Sequence, residues 1–294
     1  MRRVTLLATL TLLAITACWG STFFLIHDLL DRVPTLDFLA VRFSIAGVLL
    51  LLAAPRAVGR LSAQARRQAV VLGGLYGVAQ ILQTAGLART PASVSGFITG
   101  MYVVATPVLA ALLLRTRVTR VTWLAVLLAF GGLAVLTLDG FSIGYGEALT
   151  FVAALLYALH IVGLGAWSNA QDALGLSILQ VIVVAVICLV ASAPHGIVLP
   201  SRAGDWWSVV YMAVFPAALS LLGQTWAQVH LPATRTAIVM SMEPVFAALF
   251  AVLLGGESLT ARMLLRGLLV LTAKLVVELA PRRKVAAEVP HIAV

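Results

Sequence analysis

Few side chains in this sequence can do chemistry, and nearly all of them sit inside long apolar runs. Glu243 stands near the middle of the run 234–254, immediately before Pro244. An ionised side chain costs about 2.5–3.5 kcal/mol at the centre of a membrane helix on insertion scales, so such a group faces protein or water. There Glu243 can carry a proton in exchange for a solute, or it can hold the backbone that Pro244 leaves open. Arg42 lies one turn into the run 37–54, where its planar fork can grip a substrate carboxylate or pair with Asp31 or Asp37. Gln80 and Gln83 share a helical face, and Gln224 and Gln228 occupy related places later in the chain. Amides bind a polar or zwitterionic solute without adding charge, and they also tie helices together. Trp19, Tyr102, Tyr157 and Trp226 offer ring faces to a cation or an apolar solute, with packing as their plainer role. His160 and Gln180 complete the candidate cavity set, and Pro107 and Pro244, both inside apolar runs, are candidate hinges.

The elements that must position these groups are membrane helices. Of the 294 residues, 62% are apolar and 11% charged, against about 25% charged in soluble domains, and the mean hydropathy is +1.06. Turn residues and charges divide the chain into ten runs at about 5–26, 37–54, 68–87, 93–114, 122–138, 146–166, 174–193, 207–228, 234–254 and 259–279. The alternating pattern of a barrel is absent, so these spans are expected to be helices with internally satisfied backbones. The net charge of +9 is a topology signal. Arg2, Arg3, Arg56, Arg60, Arg66, Arg67, Arg115, Arg117, Arg120, Arg235, Arg282, Arg283 and Lys284 fall on one side, but only Arg32, Arg89, Arg202 and Arg262 on the other. That bias places both termini in the cytoplasm, with the lipid bilayer rather than nucleic acid as the large-scale partner. Cys18 and Cys188 lie within spans and carry no redox signal. Motifs for metal, phosphate or nucleophile chemistry are absent, so no cofactor, no metal and no enzymatic activity are expected.

The second half repeats the first. Residues 82–93 align with 223–234 at an offset of 141, with Gln83 and Gln224, Thr84 and Thr225, Pro91 and Pro232 coinciding. An offset of 138 pairs Trp19 with Tyr157 and Arg42 with Gln180. Each unit holds five spans, an odd number, so the second enters the membrane from the opposite side, as in secondary transporters.

With Cys18-Trp19-Gly20-Ser21-Thr22, Asp37 to Phe43, Ser93 to Pro107, Glu243-Pro244-Val245-Phe246 and Gly256-Glu257-Ser258-Leu259-Thr260 in this order, the chain resembles the EamA-type drug/metabolite transporters. The resemblance implies two five-helix EamA-like repeats, at 5–138 and 146–279, followed by a short cytoplasmic tail at 280–294. It also implies export of amino acids, other metabolites or toxic small molecules across a bacterial inner membrane. Two departures from the family's pattern are Thr116, where an acid is usual, and Lys274, inside the tenth span.

The expectation is therefore an all-α integral membrane protein with ten transmembrane helices as two inverted repeats, both termini inside, working by alternating access on a small-molecule substrate. The cavity is expected between spans one to four and six to nine. Other readings are a channel-like uniporter and an intramembrane enzyme acting on lipid-linked substrates, which would gather acids or histidines on one face. Small-residue helix faces are compatible with a homodimer without requiring one.

Overall fold

A computed structural model describes residues 2–115 and 144–256, with isolated positions at 120, 123, 124, 127, 128, 258, 261, 264, 265, 268 and 272. The predicted fifth and tenth spans and the tail, with Thr116 and Lys274, lie outside the continuously described residues. Among the described residues all regular structure is helical: α1 (Arg2–Gly20), α2 (Thr22–Leu30), α3 (Thr35–Ala53), α4 (Ala63–Leu87), α5 (Ala92–Thr99) and α6 (Tyr102–Leu114) precede α7 (Tyr145–Trp167), α8 (Ala173–Ser192), α9 (Ala203–Met212), α10 (Ser220–His230), α11 (Ala233–Met240) and α12 (Glu243–Leu253). Between α9 and α10 the wider π-helix Ala213–Leu219 continues the same rod. Together these make eight helical rods long and apolar enough to cross a membrane, at the positions predicted for spans one to four and six to nine.

Local sequence explains where the rods start. Pro34, Pro91 and Pro232 each stand just before a helix, where the missing N–H costs nothing. Ser62 caps α4 by accepting from the Ala65 amide at 3.1 Å. The polarity of the bundle is that of a protein dissolved in lipid. Leu6, Leu7, Leu52, Leu112, Val190 and Trp207 point outward, whereas Arg42, Gln80, His160, Gln180, Gln224 and Glu243 are buried.

Loops gather at two ends. At the first, His27 meets the Leu87 carbonyl, Arg32 meets Asp205 and the Val198 amide donates to Asp37. At the second, Gly175 lies against Ala57 and Leu61, and Gly165 against Ala233. Successive rods therefore run in alternating directions. α4 packs along α7 and α8, α3 along α8, and α1 along α10 and α12. Gly86 and Gly146 let α4 and α7 touch backbone to backbone: a Cβ on Gly86 would sit 2.6 Å from the Gly146 carbonyl.

Candidate substrate cavity

Two rods are broken in the middle, and the breaks meet. The first is interrupted at Gly100–Met101 between α5 and α6, the second at Ser241–Met242 between α11 and α12. At both, a tight turn of i to i−3 hydrogen bonds replaces the regular ladder, as in Met101 to Ile98 and Met242 to Val239. A Cβ on Gly100 would lie 2.8 Å from Pro244 Cγ, so only glycine allows this crossing. Pro244 has no N–H for the Met240 carbonyl one turn earlier, and the Tyr102 hydroxyl fills that place at 2.6 Å. The same hydroxyl oxygen lies 3.1 Å from Glu243 Oε2. Tyr102 and Glu243 open their half-helices at positions 141 residues apart. Helix α6 continues through Pro107, so the first rod is interrupted at Gly100–Met101 and not at that proline.

The amides knit the surrounding rods together. Tyr157 Oη donates to Gln83 Oε1 at 2.6 Å, and Gln83 Nε2 donates to Thr99 Oγ1 at 3.0 Å, linking α7, α4 and α5. Gln224 Nε2 donates to Gln228 Oε1 at 3.1 Å, and Gln228 Nε2 donates to the Ile161 carbonyl at 2.8 Å. Gln224 Oε1 is buried with no hydrogen-bond partner. Its counterpart Gln83 Oε1 is satisfied by Tyr157, whereas Trp19, the counterpart of Tyr157, turns its N–H elsewhere. Gln180 Nε2 donates to the Leu176 carbonyl at 3.1 Å, which aims its Oε1 at His160 Nε2, 2.7 Å away. His160 therefore donates from Nε2 and rests on the Tyr76 ring, with centroids 5.0 Å apart.

A third proline shapes the site. Pro216 lies in the π-helical segment and cannot donate to the Met212 carbonyl. Arg42 Nε donates to that carbonyl at 3.1 Å, and Trp19 Nε1 donates to the carbonyl of Pro216 itself at 2.8 Å. Side chains from α3 and α1 thus bond to the backbone of the irregular segment. Such bulges recur at functional sites.

These features surround one central cavity of about 40 Å³. That is room for one or two water molecules, far below the roughly 300–1,000 Å³ of small-molecule sites. Trp19, Arg42, Gln80, Gln83, Tyr102, Tyr157, His160, Gln224 and Glu243 all line it. Gln180 stands behind His160, and no side chain of α8 reaches the wall, although the seventh span was expected to contribute. Trp226 does not line the cavity; it packs on His230 with ring centroids 5.0 Å apart. The expected pairing of Arg42 with Asp37 or Asp31 also fails. Positions 37 and 42 are five residues apart and project from different faces of α3, and Asp37 accepts from the Val198 amide at 3.0 Å. A Lys274 partner for Glu243 falls outside the described residues. Tyr76, Thr22, Thr84 and Thr99 were not singled out in the sequence, yet they line the cavity. Tyr76 lies at i−4 and i−7 from Gln80 and Gln83, and that periodicity was the available signal.

The first end is tied together by charge. Arg32 bridges Asp205 and Asp28, each at 2.7 Å. Hydrogen bonding to both carboxylates raises the Arg32 guanidinium above its usual range, keeping it charged. Ser21 Oγ and Tyr211 Oη add a bond of 2.7 Å between α9 and the α1–α2 junction.

Comparison with known proteins agrees with this architecture. An uncharacterized transporter of Archaeoglobus fulgidus is 28% identical over 279 residues, covering 93% of this chain and 86% of the relative. A solved crystal structure of 16% identity superposes with a TM-score of 0.77 over 95% of this chain and 98% of its own, which speaks for the fold alone. The model of the EamA-like transporter family matches twice, at residues 6–138 and 144–278. With apolar spanning rods around a buried polar centre and a family match over nearly its whole length, the chain belongs to the EamA-like transporter family of membrane proteins.

Proposed function

We propose that this membrane transporter is a secondary carrier exporting amino acids or other small metabolites across the bacterial inner membrane by alternating access. The observation that carries the reading is the crossing of two broken helices at Tyr102 and Glu243, equivalent positions in the two halves, beside a small cavity lined by aromatic rings, amides and one buried Arg. Discontinuous helices meeting at the midplane are how such carriers build a site that two related conformations share. The packing comes in matched pairs: span three lies on six as eight lies on one, and two lies on eight as seven lies on three. This supports two inverted five-helix repeats, ten helices in all. The positive-inside bias supports cytoplasmic termini.

A cavity of about 40 Å³ cannot hold a metabolite, so substrate entry requires one end of the bundle to open. Glu243 suits a coupling role. The Tyr102 hydroxyl has one hydrogen, and the shorter contact, to the Met240 carbonyl, takes it. The 3.1 Å contact is then complete when Glu243 supplies a proton of its own. In this conformation we read Glu243 as protonated, releasing its proton when a wider opening admits water.

The test is counterflow in proteoliposomes with a panel of labelled amino acids, with and without an imposed pH gradient. Saturable flux that responds to the gradient, and loses that response in Glu243→Gln, is the expected result. Flux that rises linearly with concentration and shows no counterflow would replace the carrier with a channel.

A further inference from the structure

We infer that Arg42 anchors a carboxylate of the transported solute, which makes the substrates organic monocarboxylates, zwitterionic ones included, and excludes organic cations and phosphate esters. The inference rests on the carrier reading and adds the chemistry of its cargo. Arg42 is 2% exposed, yet it lines the central cavity. Its Nε donates to the Met212 carbonyl at 3.1 Å, and its guanidinium carbon lies 5.1 Å from the Phe43 ring centre and 5.8 Å from that of Phe38. Among the described residues no carboxylate pairs with it, and its two terminal nitrogens donate to no protein acceptor. A guanidinium carries five N–H donors, so the outer fork is unused.

Packing does not explain the charge. A buried ion without a counter-ion is costly, and a carbonyl and two ring faces compensate it only in part. The Met212 carbonyl needs only one donor, which a neutral amide would supply. Gln180, at the equivalent place in the second half, is such an amide, with its oxygen on His160 and its nitrogen on the Leu176 carbonyl. The first half thus carries an unmatched positive fork where the second carries a satisfied neutral group.

The charge count selects the ligand. Arg42 is the sole Lys or Arg on the cavity wall and Glu243 the sole acid among the described residues. With Glu243 protonated the wall is singly positive, which a monoanion neutralises and a dianionic phosphate ester would overbalance in a dry site. A carboxylate fits the fork through two parallel hydrogen bonds. An ammonium head would meet a like charge at that point. Tyr76, beside Phe43 and Tyr157, walls the approach with aromatic faces suited to the rest of the solute. The orphaned Gln224 Oε1 lines the same cavity and leaves an acceptor there for a donor group of the solute.

The experiment loads proteoliposomes of the full chain with phenylalanine, phenylalaninamide, phenethylamine, phenylacetate, threonine and threoninamide. Efflux is read by mass spectrometry above protein-free vesicles. Protein-dependent efflux of the carboxylates, with the amides and the amine at background, is expected. Arg42→Gln should abolish that efflux, and Arg42→Lys, which keeps the charge without the fork, should reduce it roughly tenfold or more. Efflux of the amides or the amine equal to that of their acids overturns the anchor while leaving a transporter, and so does carboxylate efflux undiminished in Arg42→Gln. The comparison of acids with amides needs only the wild-type protein should the variants fail to fold. Background efflux of all six compounds overturns the carrier reading and the anchor together.

Discussion

Tyr102 is the residue on which the two halves of the site turn, because its hydroxyl serves both a carbonyl freed by Pro244 and the Glu243 carboxyl. Replacing it by Phe leaves the buried Met240 carbonyl without a donor, at a cost of about 1–3 kcal/mol. A Tyr102→Phe protein is expected to melt at lower temperature in detergent and to show a displaced pH profile of flux; an unchanged profile would separate the phenol from Glu243. The residues that could be read from sequence were those whose polarity is anomalous in lipid: Glu243, Arg42, Gln83 and Gln224. Aromatic residues carry no such flag. Tyr76 has nothing in its type to mark it, and Trp226 lies off the cavity because two residues, or about 200° of helix, separate it from Gln224. Arg42 was legible as a buried charge, but its acceptor was not, since Met212 is 170 residues away and caps a π-helical segment that the sequence marks only by Pro216.

Helix positions and starts followed from prolines, charges and apolar runs, whereas packing partners and interruptions inside the rods did not. The break at Gly100–Met101 and the π-helical turn at Ala213–Leu219 have no periodic signature, because each alters only a few backbone hydrogen bonds within an otherwise apolar run. Pro216 was the only local hint of the second. Pro216→Ala restores the missing N–H and is expected to return the segment to i to i−4 pairing, with the new amide competing with Arg42 Nε for the Met212 carbonyl. Flux should fall while the fold persists, as circular dichroism and melting would report; full flux would make the bulge incidental. Contact between α4 and α7 sets a steric limit as well. Gly146→Val would push a side chain against Arg89 Cβ and Thr90 Cγ2, both 2.9 Å from where its own Cβ would sit. A loss of about 1–3 kcal/mol is expected, read as a lower melting temperature.

At the scale of the molecule the cavity is small and the first end is held by Arg32 between Asp205 and Asp28. Asp205→Asn removes the more buried carboxylate of that cluster, so the first end should open more often. A Thr22→Cys reporter in a background lacking Cys18 and Cys188 should then react faster with an impermeant maleimide than with Asp205 intact. Such a cluster was not visible in the sequence, where Arg32 and Asp205 stand 173 residues apart, one just after α2 and the other in the first turn of α9. The central claim, that transport needs this end to open and close, is tested most directly by locking it. Cysteines at Asp28 and Asp205, bridged by a reducible bifunctional thiol reagent, should stop counterflow in proteoliposomes, and reduction should restore it. Counterflow that continues through the locked protein at the unlocked rate would contradict alternating access at this cavity.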